Sequence, residues 1–121
     1  MSQFLSSTPL LHVADAVAAE AFYCDKLGFT KAWSYCAGAE PNPCYMGLQR
    51  DGVWLHVSSF SGDGVSRNVA IFNVTDIDKL FSEFKSRDVV IELEPYDQTW
   101  GNREMYLRDL DGNSLRFIQA K

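Results

Sequence analysis

Two blocks of this chain, about sixty residues apart, carry the same landmarks in the same order. Val13-Ala14-Asp15 precedes an apolar run ending Ala21-Phe22-Tyr23, and Val74-Thr75-Asp76 precedes Ile77-Asp78-Lys79-Leu80-Phe81. An aspartate-glycine turn follows in each block, at Asp51-Gly52 and at Asp111-Gly112. The valines are offset by 61 residues and the turns by 60, so the 121 residues hold two copies of one unit with almost nothing left over. Such a repeat constrains the fold more than any single motif, because one copy cannot bury its apolar face alone and must pack on the other.

Each copy reads as strand, helix and three strands. In the first, Pro9 to Val13 is extended, Asp15 is an N-cap, and Gly28 ends the helix. Strands are expected at Phe29–Cys36, Cys44–Gln49 and Val53–Ser58, with Gly38–Pro43 as a loop overhanging any groove and Asp51-Gly52 as a hairpin turn. In the second, Asn68–Val74 is a strand, and Ile77, Leu80, Phe81 and Phe84 form the apolar stripe of a helix capped by Asp76. A strand at Val89–Leu93, an acidic loop from Glu94 to Asn102 and strands at Arg103–Arg108 and Ser114–Gln119 complete it. The expected architecture is α+β: tandem βαβββ modules at about 5–60 and about 67–119, joined by a linker at 61–66 into one domain with a curved mixed sheet. Pro9 has no N–H to donate, which suits a strand start or an edge.

Composition narrows the function classes. A hydrophobic content of 46% supports a packed core and excludes a disordered arm. No apolar run approaches the roughly 20 residues of a membrane span, and the first residues have no basic or long apolar segment of the secretory type. The net charge is −5, with five acids and three bases in residues 1–60 and eleven and eight in 61–121. Such a surface repels phosphate backbones, so nucleic acid is not an expected partner, whereas a cationic small molecule is. Cys24, Cys36 and Cys44 are odd in number and lack metal-type spacing, which reads as free thiols in a cytoplasmic protein.

The duplicated pattern "Val-x-Asp … Phe-Tyr … Leu-Gly-Phe" with "Asp-x-Asp-Gly-Asn" near the end resembles the vicinal oxygen chelate superfamily, from Pro9 to Gln119. Its members include glyoxalase I, extradiol dioxygenases, fosfomycin resistance proteins and bleomycin resistance proteins. The resemblance implies the glyoxalase/bleomycin resistance fold with a ligand groove, and it identifies the fold better than the activity. The superfamily's enzymes hold a divalent ion with His and Glu side chains at four equivalent strand positions. Here those positions are Thr8, His56, Val69 and Arg116. One histidine remains, and a protonated guanidinium repels a divalent ion, so no metal, no cofactor and no catalytic residues are expected.

Among metal-free members the chain most resembles bleomycin resistance proteins. Gln98-Thr99-Trp100-Gly101-Asn102-Arg103-Glu104 is similar to that family's loop "Gln-Pro-Trp-Gly-x-Arg-Glu-Phe", with Thr in place of Pro, and Pro9-Leu10-Leu11 is similar to its opening strand. This implies a homodimer, with an exchanged N-terminal strand, whose grooves each sequester one flat, cationic drug without altering it. Trp33, Tyr35, His56, Asp97, Trp100, Gly101 and Arg116 are the candidate ligand-binding residues. Flat heteroaromatics are held between aromatic faces, and Glu92, Glu94 and Asp97 are candidate carboxylates for a cationic tail. Ordinary edge-of-core packing is the competing account of Trp33 and Trp100. Trp54 shares a face with His56 by alternation and is either groove lining or helix-facing core. The alternative functions are a metal-dependent lyase, dioxygenase or thiol transferase using His12 and His56 in a non-standard ligand set, and a binder of another aromatic metabolite or of a drug such as mitomycin.

Overall fold

The computed structural model describes residues 2–121. In the first module, β1 (Leu10–His12) leads into α1 (Ala16–Glu20), which continues as a π-helical turn (Ala21–Lys26) and then β2 (Thr30–Cys36), β3 (Cys44–Arg50) and β4 (Val53–Ser58). The second repeats the order with β5 (Val69–Asn73), α2 (Ile77–Ser86), β6 (Leu93–Asp97), β7 (Arg103–Arg108) and β8 (Ser114–Gln119). Each module is a four-stranded mixed sheet, ordered β1-β4-β3-β2 and β5-β8-β7-β6, with its first strand parallel to its last.

Local chemistry sets the helix ends as expected. Asp15 accepts from the Val17 N–H at 3.0 Å and Asp76 from the Lys79 N–H at 3.1 Å. Gly28 has φ +79, and a Cβ there would sit 2.7 Å from the Arg50 guanidinium, so the position needs glycine both for conformation and for space.

One core cluster runs through both modules, with Leu11, Tyr23, Leu48, Leu55, Ile77, Phe84, Met105, Leu107 and Leu115 almost wholly buried. Two reciprocal clasps join the modules on this helix-bearing side. The Tyr23 hydroxyl donates to Asp109 at 2.6 Å, and Arg50 makes a two-pronged contact with Glu83 of α2 at 2.8 Å while also donating to the Leu27 carbonyl. Each module's helix is thus held by the far hairpin of the other. The opposite faces of both sheets stay open, where Trp33, Trp54, Val69 and Ile71 are among the exposed large apolar side chains.

Three expectations need correction. The run Val89–Leu93 is not a strand. Asp88 adopts φ +60, the Val89 N–H bonds the Phe84 carbonyl, and Val89 is buried, so this apolar stretch closes the end of α2. The strand begins at Leu93 and runs into the expected acidic loop as far as Asp97. It lies at the sheet edge with a register shift between Leu93 and Tyr96, which accommodates Pro95.

Cys36 and Cys44 are not free thiols. They are register partners at the ends of β2 and β3, 4.1 Å apart at Cα, and form a disulfide; Cys24 stays free. Cross-strand adjacency, invisible in the spacing of three cysteines, decided this pairing. Nor does the loop before Cys44 overhang the open face. Its Asn42 carboxamide oxygen accepts from the Ala16 N–H at 2.9 Å, which ties the loop to the start of α1.

Candidate functional site

On the first module's open face, alternation places Tyr45, Gly47 and Gln49 of β3 opposite the buried Met46 and Leu48. A bulge between Lys31 and Trp33 brings Trp33 opposite Gly47, and Gly47 opposite His56 of β4. The absence of a side chain at Gly47 lets the Trp33 indole lie directly on the strand, and a Cβ there would collide with it. The Trp33 and Tyr45 rings are stacked with nearly parallel planes, 5° apart with centroids at 5.6 Å, and the His56 ring meets Trp33 edge-to-face at 5.1 Å. Tyr45 Oη and His56 Nδ1 are hydrogen-bonded at 2.7 Å. Burial lowers the His56 pKa from the ordinary imidazole value.

Trp54 is resolved by the same alternation. Leu55 is fully buried on the helix side, whereas Trp54 is partly exposed and meets His56 edge-on at 6.4 Å, on the open face. Tyr35 lies further along β2, stacked on Phe60. The result is an aromatic cluster of Trp33 stacked with Tyr45 and His56 set edge-on beside them, with Trp33 lying against Gly47 and partly exposed.

The second module's open face is polar. Trp100 is 64% exposed on a loop whose turn requires Gly101 at φ +105. Its indole N–H donates to Glu104 at 2.8 Å. Glu104 is buried, and its other oxygen accepts from the Tyr106 hydroxyl. That hydrogen bond, then burial, raises the Tyr106 pKa. Arg116 of β8 lies beside Tyr106 in register, with its guanidinium carbon 4.8 Å from the ring centroid. One carboxylate therefore positions an exposed tryptophan and the tyrosine that carries a cation.

The carboxylates expected to meet a cationic tail are largely engaged. Asp97 pairs with Lys121 at 2.6 Å and with Arg103 at 3.2 Å, and these partners, Lys121 foremost, hold its pKa below the usual range. Glu92 pairs with Arg108 at 2.7 Å. Glu94 is exposed on β6.

The four positions expected of a metal centre can be checked by register. His56 stands opposite Leu10 and Arg116 opposite Ile71, which are equivalent places in the two modules, while Thr8 precedes β1 and Val69 opens β5. The residue set of one imidazole, one guanidinium, one hydroxyl and one isopropyl group does not fit a divalent ion. Among the described residues no three His, Cys, Asp or Glu side chains converge as ligands. His12 and His56 have separate partners, since His12 Nδ1 is 3.1 Å from the Asp63 carbonyl.

Sequence reasoning had singled out Trp33, Tyr35, His56, Asp97, Trp100, Gly101 and Arg116. The structure brings Trp33 and His56 together on one sheet, and connects Trp100 to Arg116 through Glu104 and Tyr106 on the other. Tyr45, Gly47, Glu104 and Tyr106 had been passed over. A glycine in mid-strand, on the same face as Tyr45 and Gln49, is the signal for the first pair, and the short span from Trp100 to Tyr106 is the signal for the second. A separate concavity of about 750 Å³ lies between the modules near α2, lined by Phe29, Val53, Phe72, Lys79 and Leu80 among others. It contains none of the predicted site residues.

Residues 7–117 match the family model described as the glyoxalase/bleomycin resistance protein/dioxygenase superfamily. A bleomycin-binding protein solved in complex with bleomycin is 27% identical, covering 98% of this chain and 100% of that one with a TM-score of 0.78. A bleomycin resistance determinant encoded on the transposon Tn5 is also 27% identical, covering 98% and 99%, with a TM-score of 0.79. A lactoylglutathione lyase from Agrobacterium tumefaciens, at 19% identity, covers 98% and 96% with a TM-score of 0.76 and shares the fold. No curated protein sequence matches the chain.

Proposed function

Because the chain belongs to the glyoxalase/bleomycin resistance protein/dioxygenase superfamily, we propose that it is a resistance-type binding protein that sequesters a flat, cationic aromatic drug of the bleomycin type without chemical change. The observation that carries this reading is the pair of unequal open faces. One is the Trp33–Tyr45 platform, and the other holds Trp100 fixed by Glu104. A flat ring held between two such faces gains burial and stacking together.

Within one chain the modules join by their helix-bearing sides, so both faces point away from the shared core. A second copy that lays its second-module face against the first-module face of its partner closes two identical grooves, as an isologous dimer requires. Phe4 and Leu5, 95% and 96% exposed ahead of β1, supply an apolar arm for that partner to cover. In the single chain β1 pairs with its own β4, so an exchanged strand would make the same ladder in trans. No helix is long and apolar enough to cross a membrane, and on this reading the protein intercepts drug before it reaches its target.

Tryptophan fluorescence titrated with bleomycin, beside the mass in solution, tests the proposal. Saturable quenching at one drug per chain in a dimer is the expected result. A folded protein whose fluorescence does not respond overturns it, and stoichiometric metal uptake with turnover would instead install the metalloenzyme reading.

A further inference from the structure

Arg116 is the one feature of the open faces that a purely cationic ligand leaves unexplained. Its guanidinium lies over Tyr106, and among the described residues its buried Nε has no hydrogen-bond partner; Arg103 Nε is unpaired too, but that guanidinium is held by Asp78 and Asp97. The strand neighbours of Arg116 in register are Ile71 and Tyr106, neither of which carries a carboxylate. The acids nearby on this sheet are already committed: Glu104 to Trp100 and Tyr106, Glu92 to Arg108, and Asp97 to Lys121 and Arg103. A guanidinium has five donors in a rigid fork and stays protonated, and a half-buried one without an acceptor carries a desolvation cost that a ligand oxygen would relieve. Tyr106 fixes the plane of that fork from one side and, through Glu104, fixes Trp100 as well. The aromatic seat and the cation thus stand at a set spacing.

We infer that Arg116 is a specificity-determining residue of the groove: it receives a carboxylate or carbonyl oxygen attached directly to the flat ring of the ligand. The inference rests on the binding reading above and refines it. The drug's cationic part lies elsewhere, and the ring end carries the acceptor. A ring-bound carboxylate or amide is coplanar with its ring, so one molecule stacks on the aromatic faces and meets the fork edge-on. Charge-assisted pairing ranks a carboxylate above an amide, and an amide above a group with no acceptor.

Isothermal calorimetry with the full-length dimer and three naphthalene probes reads this ranking directly. For 2-naphthoate against 2-naphthylmethylamine, the preference expected is about tenfold, with 2-naphthamide between them. Arg116→Gln should lower 2-naphthoate affinity by about the same factor and bring the three probes together, while Arg116→Lys keeps part of the preference. An amine that binds wild type as tightly as the naphthoate overturns the inference, and so does an unchanged ranking in Arg116→Gln. It is equally overturned if Arg116→Gln loses the preference only by falling to monomers, because the acceptor then belongs to a second copy. Bleomycin titrated beside the probes separates this inference from the proposal beneath it. Bleomycin binding with the ranking reversed sinks Arg116 alone. The ranking intact without bleomycin binding sinks the drug assignment alone.

Discussion

The two modules share strand order and repeat landmarks, yet their open faces differ in kind. The first is aromatic: Trp33 lies on Gly47 and stacks with Tyr45, beside a histidine whose pKa burial lowers. The second is charged and bonded, with Trp100, Glu104, Tyr106 and Arg116 in one connected line. Their aspartate-glycine turns differ as much. Asp51-Gly52 is a two-residue hairpin with positive φ at both positions, and the Asp51 side chain is 88% exposed. In the second module the turn's own Asp111 accepts from the Ala14 N–H at 2.8 Å, and Asp109, two residues ahead of it, is buried and accepts from Tyr23, from the Asp111 and Asn113 N–H groups and from the Asn113 carboxamide. Duplication supplied two equal scaffolds, and side-chain divergence made one a stacking surface and the other an address for polar atoms.

The turns give the largest test of this asymmetry. Asp109→Ala strips Tyr23 of its acceptor inside the core and leaves a buried hydroxyl unpaired, so it should cost about 3–4 kcal/mol of stability. Asp51→Ala in the exposed hairpin of the first module should stay within about 0.5 kcal/mol. Urea unfolding of both variants measures the contrast, and equal losses would mean that the turns are equivalent after all.

Binding separates the faces next. Trp100→Ala should weaken bleomycin binding by about 1–3 kcal/mol, the range for losing a stacked aromatic and its buried area. Glu104→Gln keeps the tryptophan but loosens its tether, so its loss should be the smaller of the two. Wild-type affinity in Trp100→Ala would remove that residue from the site. On the other face, Gly47→Ala lifts Trp33 off the strand without touching any polar group, and about 1–2 kcal/mol of affinity should go with it. Titration calorimetry at fixed protein concentration reads all three.

The smallest effect expected is in acid. Hydrogen bonding from Arg50 holds the Glu83 pKa below the usual carboxylate range. A depressed folded pKa contributes stability that is present above the unfolded value, near 4.3 for glutamate, and is lost as pH falls through the folded one. Glu83→Gln should therefore cost about 1 kcal/mol at pH 7, and the difference in Tm from wild type should vanish toward pH 3. A gap that survives at pH 3 would show that packing, and not charge, joins α2 to the first module.

The architecture was legible in the chain because its signals are local and repeated. Caps at Asp15 and Asp76, the stop at Gly28, the hairpin at Asp51-Gly52 and the stripe through Phe84 depend on residues within a few positions of one another. The strand after α2 was misread for the converse reason. Val89 and its neighbours have strand-like composition, but tertiary burial uses Val89 to close a helix, and the ladder starts at Leu93. Of the site, the tryptophan loop could be found by resemblance, whereas the engagement of Glu92 and Asp97 by nearby cations could not.

By itself, then, the sequence determined two βαβββ units with their helix ends and turns, since those follow from residue identity and short-range periodicity. Only the tertiary structure decided that Cys36 meets Cys44, that Trp54 looks outward, that Gly47 seats Trp33, and that Arg116 lies over Tyr106 with its buried Nε unpaired among the described residues. Each of those depends on cross-strand register or on which of several charges stand within a few ångströms, and pairing across strands is a property of the folded sheet and not of the order of residues along it.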